Sequence, residues 1–253
     1  GFSVGNDGGV NQSAQTYVAW SWKAGGAARN NTDGSIASLV SANTAAGFSI
    51  VKYDGTGVNG SYGHGLSSAP ELVITKNIDW STPDWFVYHK DLGTNGYLRL
   101  NQTTAEQTTS TLFSSAPSST VVNIGNDSGI NRSNGDTQIA YCFHSVAGYS
   151  KIGSYTGTGS DLSVNVSFEP AFIMIKCVDN SGSAWFIVDN KRGAGAKGVA
   201  KFIEPNSSGA EFTNAVYGCI FTSTGFTIPG GTSVNLNQNG IDYIYMTFAT
   251  NPT

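Results

Sequence analysis

One hydrophobic pattern occurs three times along the chain: Tyr17-Val18-Ala19-Trp20-Ser21-Trp22, Gln138-Ile139-Ala140-Tyr141-Cys142-Phe143 and Tyr243-Ile244-Tyr245-Met246-Thr247-Phe248. Every second residue is large and apolar (Val18, Trp20, Trp22; Ile139, Tyr141, Phe143; Ile244, Met246, Phe248), and those between are mostly small or polar. Successive side chains of a strand point to opposite faces, so this alternation predicts a strand with one face on a core. The turn ahead of the pattern repeats as well. Val4-Gly5-Asn6-Asp7-Gly8-Gly9-Val10-Asn11 is echoed by Ile124-Gly125-Asn126-Asp127-Ser128-Gly129-Ile130-Asn131. The copies end at Trp22, Phe143 and Phe248, 121 and 105 residues apart, which is too long for a solenoid unit and the size of a sandwich domain.

The clearest internal match aligns residues 70–93 on residues 170–193 without a gap, keeping Pro70/Pro170, Lys76/Lys176, Asp79/Asp179, Ser81/Ser181, Trp85/Trp185, Phe86/Phe186 and Gly93/Gly193. Each block reads as a hairpin. An apolar run (Leu72 to Lys76; Phe172 to Lys176) leads through a polar loop to a returning strand that opens on Trp85 or Trp185. Before it, Phe48 to Tyr53 ends in Asp54-Gly55-Thr56-Gly57, and Tyr149 to Tyr155 ends in Thr156-Gly157-Thr158-Gly159, strands closed by glycine turns. Tyr97 to Asn101, Lys201 to Glu204 and Phe221 to Ile228 read as further strands, the last bent at Thr224-Gly225. Residues 23–46 are small and polar and read as a connection. No segment has a capped helical period.

The expected architecture is therefore all-β, two tandem antiparallel β-sandwiches of jelly-roll or lectin-like type. Residues 1–46 are the end of a preceding, truncated unit and a connection, 47–146 the first sandwich and 147–253 the second. Trp20 and Trp22 present a large apolar face ahead of any complete unit. They are expected to complete a sandwich begun upstream or to be buried against a neighbour.

Composition changes this picture mainly by exclusion. Charged residues are only 12%, the formal net charge is −4, and no basic stripe suited to nucleic acid is present. No run of 18 apolar residues and no signal peptide is seen. Cys142, Cys177 and Cys219 lie in apolar runs and read as buried free thiols. Eight Asn-x-Ser/Thr triplets, from Asn11 to Asn206, follow from a composition rich in Asn, Ser and Thr.

Several phrases together resemble a repeat family of bacteriophage structural proteins. They are Gln15 to Gly26, Gly63-His64-Gly65-Leu66 before Pro70, Trp85-Phe86-Val87-Tyr88-His89, Ala147 to Gly159 and the closing Phe248-Ala249-Thr250-Asn251-Pro252. The family is common in tailed phages of aquatic bacteria, among proteins described as tail-fibre or virion-associated. The resemblance implies a lectin-like (concanavalin A-like) sandwich in a virion, and it supplies no catalytic or binding residue.

Candidate chemistry is sparse. His64, His89 and His144 lie in separate segments, and His89 becomes Asp189 in the matched block. Asp79 and Asp84 flank one loop, as a glycosidase pair would, but Asp84 becomes Ala184, and turn chemistry accounts for both. Asp7 and Asp127 sit in turns whose own chemistry explains them, without the ligand density of a calcium loop. Trp80 differs from the other tryptophans: it lies in a polar loop, is replaced by Asn180 in the sister block, and has Asp79, Ser81, Thr82 and Asp84 beside it. An aromatic face ringed by hydroxyl-bonding groups suits a sugar. The expectation is a non-enzymatic virion protein of tail-fibre or capsid-fibre type, with Asp79, Trp80, Ser81, Thr82 and Asp84 as a glycan site. It needs no cofactor, and its partners are copies of itself (a homotrimer by family analogy), other virion proteins and a host-surface polysaccharide. Nucleic acid and membrane insertion are not expected. A capsid-decoration or filament scaffold is the alternative, and a glycan-cleaving enzyme is third.

Overall fold

The computed structural model describes residues 1–81, 84–133, 135–231 and 235–251. The first unit contains β1 (Arg29–Asn31), β2 (Ser38–Asn43), β3 (Phe48–Asp54), β4 (Gly60–Gly63), β5 (Leu72–Asn77), β6 (Phe86–His89), β7 (Gly96–Arg99), β8 (Gln107–Thr108), β9 (Val121–Ile124) and β10 (Thr137–Phe143). The second contains β11 (Ser150–Thr156), β12 (Leu162–Asn165), β13 (Pro170–Cys177), β14 (Trp185–Asp189), β15 (Ile220–Thr222), β16 (Gly225–Ile228) and β17 (Asp242–Ala249). Two four-residue helices, α1 (Gly8–Asn11) and α2 (Ser128–Asn131), are the repeated turns.

Each unit is a large sheet facing a small one, and the chain is all-β as its pattern predicts. In the first unit the sheet β1-β2-β3-β10-β5-β6-β7-β8 faces β4-β9; in the second, β11-β17-β13-β14 faces β12-β16-β15. The gapless blocks are equivalent hairpins: Thr75 pairs with Phe86 and Ile74 with Val87, as Ile175 does with Phe186 and Met174 with Ile187. β10 lies between β3 and β5, and β17 lies between β11 and β13. The strand that ends each unit is thus inserted at the centre of its large sheet.

The repeated alternation is satisfied in an unexpected way. Ala140 and Cys142, the small residues between the large ones, face the first unit's own core beside Val51, Tyr53, Tyr62 and Val122. Small residues fit there because Tyr53 and Tyr62 stack in that space with ring centroids 4.2 Å apart. The large column faces outward, against the other unit. Phe143 and Tyr141 meet Phe48, Leu72 and Ile74 of the first unit and Phe172, Met174, Ile244 and Met246 of the second in one shared core. The three cysteines are buried free thiols, and burial pushes the Cys142 thiol up to about 12.

Three expectations need correction. Residues 23–46 are not a mere connection, because β1 and β2 lie within them and β2 pairs with β3 from Ser38↔Tyr53 to Asn43↔Phe48, so the first unit's sheet begins well before residue 47. Backbone pairing to a preformed neighbour supplies what the small side chains lack. Tyr17 to Trp22 has the strand pattern but makes no ladder, since β10 and β17 already occupy the matching position in both large sheets. The segment is extended, with Val18, Trp20, Trp22 and Ala24 half-buried and the residues between them exposed. Lys201 to Glu204, read as a strand, makes only isolated bridges at Phe202 and Ile203.

A buried asparagine ties the end of each unit to its beginning. The Asn131 side chain accepts from Thr56 N at 2.7 Å and Gly57 N at 3.3 Å, and donates to Val58 O and Gly125 O, both at 2.7 Å. Asn237 does the same work in the second unit, accepting from Thr158 N at 2.8 Å and donating to Ser160 O at 2.7 Å. Beside each, a tyrosine hydroxyl donates to the preceding carbonyl, Tyr53 to Ile130 O and Tyr155 to Leu236 O, both at 2.8 Å. Gly55 and Gly157 belong to this joint because a Cβ would stand 2.4 Å from Arg132 O and 2.2 Å from Gln238 O. Asn131→Ala leaves several buried backbone groups unsatisfied and should destabilise the protein by about 2–4 kcal/mol in denaturant unfolding. Asn11→Ala, at the exposed counterpart, should cost less than about 0.5 kcal/mol.

Candidate functional site

The loop after β5 is built around Asn77. Its Oδ1 accepts from Asp79 N at 3.0 Å and Trp80 N at 2.9 Å, while its Nδ2 donates to Asp136 Oδ2 at 3.1 Å. Asp136 pairs with Arg132 at 3.1 Å, and the Arg132 guanidinium lies 4.9 Å from the centre of the Trp80 ring. Asp79 Oδ2 accepts from Thr137 N at 2.7 Å, and this bond holds its carboxyl below the usual range. Asp179 accepts from Asp242 N at 2.6 Å, so the matched aspartates share one task, steadying the start of β10 and β17.

Asp84 points to a different neighbourhood. It pairs with Arg99 Nε at 2.8 Å and accepts from Asn101 Nδ2 at 2.9 Å and Gln102 Nε2 at 2.7 Å. Ser81 is exposed, and Thr82 lies outside the described residues. Among the described residues, the expected site residues therefore do not converge. Asp79 and Trp80 belong to the joint with α2, Asp84 belongs to the end of β7, and the Trp80 ring is half-buried beneath a cation rather than open for stacking.

A better-shaped cleft lies elsewhere in the first unit. Tyr88, Lys90, Leu92 and residues 93–96 form one side and Phe113 to Ala116 the other, around about 310 Å³. The Tyr88 and Phe113 rings meet at 5.6 Å with a 56° tilt, and Asn95 turns the chain at φ 58°. An aromatic floor with backbone and hydroxyl groups at the rim can take a small polar ligand with one apolar face. The sequence carries little sign of it: Tyr88 sits where the sister block has Val188, and Phe113 falls in a stretch without period.

An apolar space lies between the units. A cavity of about 420 Å³ is lined by Trp20, Trp22, Ile50, Ile74, Trp85, Leu100, Tyr141, Phe143, Phe172, Met174 and their neighbours. Trp20 is anchored there by its indole N–H, which donates to Asp189 Oδ2 at 3.1 Å, and by Arg192, 5.4 Å from its ring centre. Arg192 Nε donates to the same Asp189 oxygen at 2.7 Å.

The histidines are held locally. His64 contacts Ser118 O at 3.2 Å through Nε2 and accepts from Leu66 N at 3.2 Å through Nδ1. His144 Nδ1 lies 2.9 Å from Ser145 O, and His89 Nδ1 accepts from Asp91 N at 3.2 Å. Asp7 and Asp127 cap the two short helices through Gly9 N and Gly129 N, at 2.7 and 2.8 Å. Among the described residues no three His, Cys, Asp or Glu side chains gather closely enough to hold a metal, and no helix is long and apolar enough to cross a membrane.

Burial pushes the His89 ring down to about 4, against a weaker upward pull from Asp91. The unfolded ring takes a proton near its ordinary value of about 6.5. As pH falls from about 6.5 to about 4, the unfolded state binds a proton that the folded state refuses, so stability declines across that window. His89→Gln should flatten this part of the profile, read as the urea midpoint at several pH values.

Neither a curated protein nor a solved structure matches the chain. A family match extends over residues 1–252, and by it the chain belongs to the family described as a domain of unknown function, DUF7483.

Proposed function

We propose that this chain is a non-enzymatic structural protein of a phage virion, of tail-fibre or capsid-fibre type, built to hold sandwich units in a fixed relation. The observation that carries this reading is the shared core between the units. Domains that move independently meet through small, polar interfaces. Here the largest aromatic columns of both large sheets turn outward and pack on each other, with the ring centroids of Phe143 from the first unit and Phe248 from the second 6.1 Å apart. Such an arrangement favours rigidity and resists shear. The carboxylates of Asp79, Asp127, Asp179 and Asp189 are engaged in backbone bonds and ion pairs that serve the same end. Immunogold labelling of purified particles of the phage that encodes this sequence should place the chain on the tail or capsid surface. Particles without label, with the chain confined to the infected cell, would overturn the assignment.

Attachment to a host-surface glycan is the second reading, and the Tyr88–Phe113 cleft is the observation that favours it over the Trp80 loop. One shallow site of this kind binds at about millimolar strength, near 4 kcal/mol. Ala116 is exposed at the cleft mouth, so Ala116→Trp fills the cleft without entering the core. On a glycan array it should lower binding at least ~10-fold, or about 1.4 kcal/mol, while Trp80→Ala leaves binding unchanged. The reverse pattern would return the site to the Trp80 loop.

A further inference from the structure

Residues 2–11 and 17–24 repeat residues 122–131 and 138–145, yet their side chains have opposite fates. Val122, Ile124 and Ile130 are each 0% exposed; their counterparts Phe2, Val4 and Val10 are 69%, 48% and 51% exposed. The backbone is nonetheless the same. The cap residues Asp7 and Asp127 have φ/ψ of −66°/130° and −66°/131°, and Asn11 keeps the bond to Gly5 O at 2.7 Å that Asn131 makes to Gly125 O. Even the glycines are kept without a local reason. A Cβ on Gly125 would stand 2.4 Å from Thr111 O and one on Gly129 2.4 Å from the Phe86 ring, whereas Gly5 has open space and Gly9 meets only its own cap, Asp7. The N-terminal stretch is shaped to be gripped by strands that neither unit supplies.

The position of Trp22 says where those strands belong. Trp22, Phe143 and Phe248 are the last residues of the three copies, and they meet edge-on around one point: Trp22–Phe143 6.2 Å, Trp22–Phe248 5.5 Å, Phe143–Phe248 6.1 Å. Two of these residues come from central strands of large sheets whose outer faces pack together. The third occupies the corresponding place, with Trp20 beside it, on a segment that has no sheet.

We infer that this chain presents a docking face for a third sandwich unit of the same repeat, which lacks its own central strand and takes residues 17–22 in that role. Residues 2–4 fill the place of β9 in its small sheet, and its large sheet closes over the Trp20 and Trp22 side of the apolar cavity. The joint defines the partner's chemistry. The Val10 carbonyl and the Asn11 side chain correspond to Ile130 and Asn131, so the unit carries a Tyr-x-Gly-Thr-Gly turn like Tyr53 to Gly57, whose hydroxyl and loop amides those groups receive. A second copy of this chain does not meet the requirement, because β10 and β17 already fill both of its large sheets. In both complete units the flanking strands come earlier in the chain than the central one, so the occupant is placed ahead of residue 2 in the same polypeptide. The inference does not depend on the virion reading.

The test joins an extra copy of residues 26–121 directly to Phe2 and follows amide hydrogen exchange. In the chain by itself, amides 18–23 should exchange freely while those of β10 and β17 are protected. In the fusion, amides 18–23 should slow at least ~100-fold. Val10→Asp should abolish that slowing while leaving the chain by itself unchanged. A second fusion, carrying residues 26–144 ahead of Gly1, brings its own central strand. If it folds and the first does not, or if the first folds with amides 18–23 still exchanging, the inference is overturned. It is equally overturned if neither added unit folds on this face, or if the chain by itself dimerises and already protects amides 18–23.

Discussion

The packing of large aromatic and aliphatic side chains between the outer faces of two sheets is the interaction on which this protein depends. A sheet with two apolar faces cannot leave one in water, and each unit buries only its inner face within itself. The outer column of β10, with Phe48 and Leu72 beside it, therefore needs the second unit as much as that unit needs the first. Trp20 and Trp22 extend this core rather than lying idle, with Trp22–Phe172 centroids 5.5 Å apart.

The second constraint is polar. Inserting the last strand of a unit at the centre of its large sheet brings the chain back onto the turn that ends β3 or β11. Asn131 and Asn237 make that return specific, because an amide side chain both accepts from loop amides and donates to loop carbonyls. The tyrosine hydroxyls and the close-fitting Gly55 and Gly157 complete the joint. A folded unit is thus checked twice, by burial of the central strand and by closure of this loop. The N-terminal copy retains the local half of the joint and its cap but has no loop to hold.

Seen together, the apolar seam and the polar joint describe a module made for repetition. Polar side chains are spent on fixing strand ends, as with Asp79 and Asp179, and on orienting Trp20 through Asp189 and Arg192. The Trp80 loop fits the same account, since Asn77, Arg132 and Asp136 use it to steady the approach to β10. The Tyr88–Phe113 cleft stands apart from this economy, since the matched block of the second unit has Val188 in place of Tyr88.

By itself the sequence determined the all-β class, the repeat, the equivalence of the two hairpins and the turns that end β3 and β11, because alternation and glycine chemistry act over neighbours a few residues apart. It also marked Tyr17 to Trp22 as a strand pattern with a buried column, and the column is indeed turned inward. What only the tertiary structure decided is direction and company. Alternation distinguishes two faces but does not say which core each meets, so the shared seam, the unpaired state of Tyr17 to Trp22 and the use of small residues over Tyr53 and Tyr62 were not legible. β1 and β2 were missed because their stability comes from backbone pairing, β1 on β2 and β2 on β3, rather than from their own side chains. Likewise, Trp80 and Asp84 are close in sequence, but the Arg132 cation over the Trp80 ring and the Asp84–Arg99 ion pair draw them to opposite sides of the hairpin, toward β10 and β7.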